Sequence, residues 1–345
     1  MRLPSVRSMD SDAIRKLPTK GATRSIHSSS EPCAKAGTSV RPGQPPVRPE
    51  MPRWGERGSV MSSLAKGRNG MTGWRTMPRL RLPAVAGSFY PASPSALATQ
   101  VDGWLERATA SSADKQRPAA LVVPHAGYVY SGRVAATAFA TLRAFKGRTP
   151  RVLLLGPCHF LPLRGLAYPD VDVLCTPLGE VPLDPDLRSR AAALRQVCAS
   201  TEAHETEHSL EVQLPFLQRV LGPFRILPLV VGSARGEEVE EVLDALWDSD
   251  VLPIVSSDLS HYLSYEEARE ADRETAERVL SLEGPLAGGS ACGAAAISGL
   301  MLAARKRGLR PRLLDLRSSG DTAGGHDEVV GYGAFAFYPP GSIGS

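Results

Sequence analysis

Four apolar runs in this chain stop abruptly on residues that carry chemistry. Leu121-Val-Val-Pro-His125 ends on a histidine and then a Gly-flanked turn with two tyrosines. Arg151-Val-Leu-Leu-Leu-Gly-Pro-Cys-His159 ends the same way. Phe224 to Val231 runs into Gly232-Ser233, and Val251-Leu-Pro-Ile-Val-Ser-Ser-Asp258 stops at Asp258-Leu-Ser-His261. Short apolar runs bounded by turn residues read as buried strands. Where such strands alternate with helical patterns, a layered α/β domain with a mostly parallel sheet is the expected result.

The intervening segments supply the helices. Ser93-Pro94 introduces one to about Arg107, with Leu97, Val101, Trp104 and Leu105 on one face. Arg133 to Leu142, Asp186 to Val197, 236–248 and the charged stretch Tyr265 to Leu282 follow. Glu207 to Leu221 reads as a helix whose stripe is Leu210, Leu214, Leu217 and Leu221, with Pro215 either kinking it or marking its second segment. A hairpin is expected within Gly165 to Leu178. Gly288-Gly-Ser-Ala-Cys292-Gly opens an Ala-rich helix to Lys306, and strands 312–317 and Val329 to Phe337 close the pattern around a glycine-rich loop. The expectation is one domain over 79–340, with a mostly parallel or mixed sheet flanked by helices.

Charge divides the chain differently. Before Met77 there are 14 Lys and Arg against 5 Asp and Glu; of the 40 basic and 36 acidic residues, 26 and 31 remain for the rest. The net +4 therefore comes from a basic leading segment on a mildly acidic body. That segment, 1–78, contains Arg41-Pro-Gly-Gln-Pro-Pro-Val-Arg-Pro and few large apolar groups, so it reads as a disordered extension or an over-extended start. The body offers no basic stripe for nucleic acid. No apolar run reaches the length of a membrane span. Five scattered cysteines are too few for a disulfide framework, which fits a reducing, cytoplasmic compartment.

In open α/β sheets, ligands sit beyond the carboxyl ends of the strands. His125, His159, Asp258 and His261 all stand there. Imidazole is the commonest protein metal ligand, and two histidines with one anionic group make a set with open positions. Cys292 offers such a group, because a helix start favours a thiolate. Each also has a plainer reading: a hydrogen-bonded turn histidine, or a small buried thiol. His208 and Glu211 are three residues apart and would share a helix face, the carboxylate backing the imidazole; a solvated, charged helix start is the alternative.

Ala84-Val-Ala-Gly-Ser-Phe-Tyr-Pro, Pro124-His-Ala-Gly-Tyr-Val-Tyr-Ser-Gly, Gly156-Pro-Cys-His159, Glu207-His-Ser-Leu-Glu-Val-Gln-Leu-Pro-Phe, Ser257-Asp-Leu-Ser-His261, Ala291-Cys-Gly and Val330-Gly-Tyr-Gly resemble, in unbroken order over about 79–338, the Memo family, whose bacterial and archaeal members are called AmmeMemoRadiSam system protein B. The resemblance implies a fold related to class III extradiol dioxygenases, which are non-haem iron enzymes. It implies a metal at His125, His159 and Cys292, with Asp258 close by and His261 as acid/base; His208 and Glu211 complete the candidate catalytic set. A thiol stands where the dioxygenases have a carboxylate, which extends the metal choice from iron to copper, or zinc. Two alternatives to a metal-dependent redox enzyme are a binding module working with an AMMECR-type protein and a radical S-adenosylmethionine enzyme, and a metal-dependent hydrolase. The ligand would be a small molecule or peptide.

Overall fold

The computed structural model describes residues 77–109, 117–145 and 151–340. The basic segment expected over 1–78 falls, up to Thr76, outside the described residues, as does most of the polar loop at 110–117. The strands among the described residues are β1 (Leu80–Arg81), β2 (Ala120–Val123), β3 (Arg151–Pro157), β4 (Leu166–Tyr168), β5 (Val173–Thr176) and β6 (Gly179–Pro182), then β7 (Val197–Ala199), β8 (Arg225–Val231), β9 (Val251–Ser256), β10 (His261–Leu263), β11 (Arg310–Ser318) and β12 (Val329–Tyr338). The helices are α1 (Pro94–Thr109), α2 (Tyr128–Ala140), α3 (Pro185–Ala192), α4 (Glu202–Glu205), α5 (Leu214–Leu221), α6 (Gly236–Leu246), α7 (Tyr265–Ser281) and α8 (Ala294–Lys306).

The main sheet has nine strands in the order β10-β12-β2-β9-β3-β8-β4-β7, with β11 also paired to β12. Its centre, β2-β9-β3-β8, is parallel throughout. Antiparallel pairings to β12 on one side and β4 on the other make the whole sheet mixed. Because the register sets Val123 beside Ser256, and Leu155 beside Val255, the carboxyl ends of β2, β9 and β3 finish together on one edge.

The central strands read as continuous apolar runs because both faces are covered. Leu121, Val123, Val152, Leu154, Leu252 and Ile254 join one core with Leu97, Trp104, Phe139 and Phe216 from α1, α2 and α5. Their alternates, Ala120, Val122, Leu153, Leu155, Val251 and Val255, join a second core with Leu187, Val239, Val279 and Ile297 from α3, α6, α7 and α8. This period-two partition of one strand set between two cores is the three-layer α/β arrangement. All the described residues lie within one compact unit. None of the described helices is long and apolar enough to cross a membrane.

Three local expectations are corrected. Glu207 to Leu221 is not one helix: residues 207–210 form a loop, Glu211–Gln213 a single 3-10 turn, and α5 begins at Leu214. Pro215 occupies the first helical turn, where its missing N–H costs nothing, so of the two roles expected of it, it marks the start of the second segment and does not kink a longer helix. The hairpin is β5–β6, outside the main sheet, while β4 joins the main sheet beside β8. The helix expected to reach Val197 ends at Ala192, because Val197 is drawn into β7 alongside Leu166.

Candidate metal centre

His125 and His159 follow the carboxyl ends of β2 and β3, and His208 comes from the loop before α5. One ligand atom from each lies within 4.8 Å of those from the other two. The rings of His159 and His208 stack at 4.9 Å, and His125 meets both edge-on at 5.3 and 5.5 Å.

The loop carrying His208 is held against the sheet by specific contacts. Ser209 Oγ donates to the Pro157 carbonyl at 3.0 Å, and Ser256 Oγ donates to the Ser209 carbonyl at 2.6 Å. Gln213 Nε2 donates to both the Pro124 carbonyl and Ser256 Oγ. The loop also needs Gly156 beneath it, since a Cβ there would stand 2.8 Å from Leu210 Cδ2 and 3.1 Å from Ser209 Oγ.

Hydrogen-bond accounting fixes which imidazole nitrogens are available. A serine hydroxyl has one proton to give, and Ser256 gives it to Ser209. Toward His125 Nδ1, 3.0 Å away, Ser256 Oγ therefore accepts. The proton is on Nδ1, and His125 Nε2 carries the lone pair. His159 Nδ1 donates to Glu207 Oε1 at 2.9 Å, which leaves its Nε2 free in the same way. Burial opposes ionisation of Glu207, but bonds from the His159 ring, the His159 backbone and the Ser209 backbone outweigh it and hold the carboxyl down to about 2. Burial first, and neighbouring imidazoles second, keeps His125 neutral; burial also lowers His208. Neutral imidazoles with their far nitrogens anchored are what a metal ion requires.

Cys292 Sγ lies 3.3 Å from His125 Nε2. Its position depends on Gly293, whose N–H donates to Ser257 Oγ at 2.9 Å and where a Cβ would stand 2.8 Å from Ser257 Cβ. The expectation that a helix start makes this sulfur a thiolate is corrected. Burial, with Asp258 nearby, pushes the thiol up to about 12, and a terminal dipole is too weak to reverse that.

Asp258 and His261 are also here. The Asp258 carboxylate accepts the His125 backbone N–H at 2.7 Å, and burial pushes it up to about 7. It thus braces the turn after β2. His261 Nδ1 donates to the Leu259 carbonyl at 2.8 Å, which leaves Nε2 as acceptor. Burial lowers its pKa, so the ring is neutral near pH 7. A register shift between His261 and Leu263 against β12 leaves Tyr262 as an extra residue. Tyr262 takes φ 58° and is 74% exposed. Such bulges re-aim neighbouring side chains.

Glu211 departs most from expectation. With no helix over 207–213, it does not share a face with His208. Its buried carboxylate instead accepts the Ala84 and Val85 N–H groups at 2.8 and 3.0 Å, the Tyr90 hydroxyl and the Arg81 guanidinium. Arg81 in turn donates to the carbonyls of His204 and Glu207. Glu211 and Arg81 together clamp the segment at 81–90 to the loop bearing Glu207 and His208. Arg81, Glu207 and Ser256 were not singled out from sequence for these roles. A serine closing an otherwise apolar, fully buried strand was the one available sign of Ser256.

A mixed sheet whose parallel centre brings three imidazoles together at its carboxyl edge, two of them anchored, defines an α/β protein with a site compatible with a metal ion. Residues 81–336 match the Memo-like protein family. Among curated relatives, a MEMO1 family protein of Sulfolobus acidocaldarius is 34% identical over 282 residues, covering 73% of this chain and 97% of its own. One from Saccharolobus solfataricus is 35% identical over 289 residues, covering 74% and 99%. One from Archaeoglobus fulgidus is 34% identical over 276 residues, covering 75% and 99%. The chain belongs to the Memo family. An uncharacterized Escherichia coli K12 protein of known structure aligns with a TM-score of 0.44 at 16% identity, over 63% of this chain and 99% of that one, a likeness that carries no functional argument.

Proposed function

We propose that the chain is a metal-dependent redox enzyme whose ion is held by His125, His159 and His208, with the Cys292 sulfur beside them. The observation that supports this is the convergence of three imidazole ligand atoms within 4.8 Å, two of them with the far nitrogen anchored by Ser256 and Glu207. Nitrogen and sulfur donors suit iron, copper or zinc, and iron or copper would supply one-electron and oxygen chemistry. The protein's own part is acid–base and positional. His261 Nε2 takes and returns a proton of the substrate, and Asp258 and Glu207 fix the backbone and ring of the ligand histidines. The His159 side chain is 28% exposed, and Phe160 beside it is 58% exposed, so a small molecule reaches the cluster directly from solvent.

The described cysteines are all free, which supports placing the protein in the reducing cytoplasm. An AMMECR-type protein and a radical S-adenosylmethionine enzyme are its proposed associates. The deciding experiment is element-resolved mass spectrometry on protein purified without chelators and without oxygen. One transition-metal ion per chain, lost in His125→Ala, is expected, together with oxygen uptake on addition of substrate. Metal no higher in the native protein than in His125→Ala would rule the proposal out. Turnover in the absence of oxygen would move the assignment to a hydrolase.

A further inference from the structure

A cleft of about 500 Å³ opens between α7 and β11, with Ser318 and Asp321 also in its lining. Arg269 and Arg273, four residues apart on α7, present guanidinium groups from one helix face. Arg317, two residues from Asp315 on β11, presents a third from the facing strand.

The acids along the same cleft are engaged inside the protein. Asp315 receives Arg317 Nε on both oxygens, at 3.0 and 3.1 Å. Asp321 accepts the Tyr265 hydroxyl at 2.6 Å, the Ser318 N–H at 2.7 Å and the Ser318 hydroxyl at 3.1 Å. Asp272, 3% exposed, accepts the Ser260 N–H at 2.9 Å, and burial pushes its carboxyl above the usual range.

The arginines are less committed. A guanidinium carries five N–H donors. Arg317 directs only Nε at Asp315. Arg273 directs Nη1 at the exposed Glu270, and Arg269 lies over the Tyr265 ring with Nη1 3.7 Å from Glu266. Unused guanidinium N–H groups therefore remain on the cleft walls, where three arginines balance three aspartates in charge. Three planar forks drawn from two elements match the tetrahedral oxygens of phosphate better than they match a flat or apolar ligand.

We infer that this cleft binds a phosphate-bearing small molecule through Arg269, Arg273 and Arg317. The volume is in the range of sites for ligands of nucleotide or sugar-phosphate size. The site stands apart from the histidine cluster in its residues. It is linked to that cluster through Asp272, which holds the backbone of Ser260 between Asp258 and His261.

Calorimetric titration of the full chain with inorganic pyrophosphate, after metal removal and desalting, tests the assignment. One saturable site per chain is expected, at least tenfold weaker in the double variant Arg273→Gln/Arg317→Gln and unchanged in His125→Ala. The two arginine side chains are about half exposed, so the double variant should keep the parent's circular dichroism and melting temperature. Absence of saturable binding, equal affinity in the double variant, or loss of binding in His125→Ala would each overturn the inference. The last outcome would place the anion at the histidine cluster and leave the metal proposal standing.

Discussion

Ser256 decides which nitrogen of His125 faces the site. With its own proton committed to the Ser209 carbonyl, the hydroxyl can only accept from Nδ1. Ser256→Ala frees that nitrogen and lets the imidazole take the other tautomer. Metal affinity should fall roughly 10–100-fold, the usual cost of losing a partner to a metal-bound histidine. Competition against a chelator of known affinity measures it, and an unchanged affinity would show that Ser256 does not set the tautomer. At this scale the sequence was partly legible. His125, His159, His261, Asp258 and Cys292 announce themselves at strand ends and a helix start. The serine that orients one of them does not, because a hydroxyl within a buried strand gains its meaning only from the loop that later packs on it.

Elements placed that loop, and here glycine does what no other residue can. Gly156 lies in β3 directly beneath Ser209 and Leu210. Gly156→Ala should cost about 1–3 kcal/mol through overpacking and lift the loop that carries Glu207 and His208. Urea unfolding paired with metal analysis would show both losses; a stable variant that keeps its ion would mean the loop has room to move. Strands with two buried faces were readable as apolar runs, and α1, α6, α7 and α8 as amphipathic or Ala-rich stretches. The segment at 207–213 was not, because its apolar residues happen to fit a helical spacing. Its course is set instead by tertiary bonds from Arg81, Gln213 and Ser256. Pro215 was the informative residue, since its rigid φ suits a first turn better than a helix interior.

At the scale of the molecule, the buried Arg81–Glu211 pair joins the segment at 81–90 to the site loop. Glu211→Ala would strand a buried guanidinium, costing about 3–5 kcal/mol; thermal or urea unfolding tests it, and a loss below 1 kcal/mol would mean water replaces the carboxylate. The same region sets acid sensitivity. His204 is 4% exposed, its Nε2 donates to the Ala167 carbonyl, and burial lowers its pKa to about 4. Unfolding returns it to about 6.5, so the unfolded chain binds the extra proton. Its contribution is fully present above pH 6.5 and is lost progressively as pH falls toward 4, on the order of 3 kcal/mol in all. His204→Gln keeps a donor without a titrating group, so its stability should fall less steeply between pH 6.5 and 4; identical slopes would assign the acid lability elsewhere. Fold class and the grouping of strand ends could be read from the chain. The clamp could not, because its partners are more than a hundred residues apart in sequence. The histidine cluster and its sulfur are also spread along the chain, at positions 125, 159, 208 and 292, with His125 and Cys292 167 residues apart. All three imidazoles come from 125–208, but Ser256, which anchors one of them, and Cys292 come later in the chain, so bound metal would act as a certificate of completed folding, present when the parts have met and absent from chains still under construction.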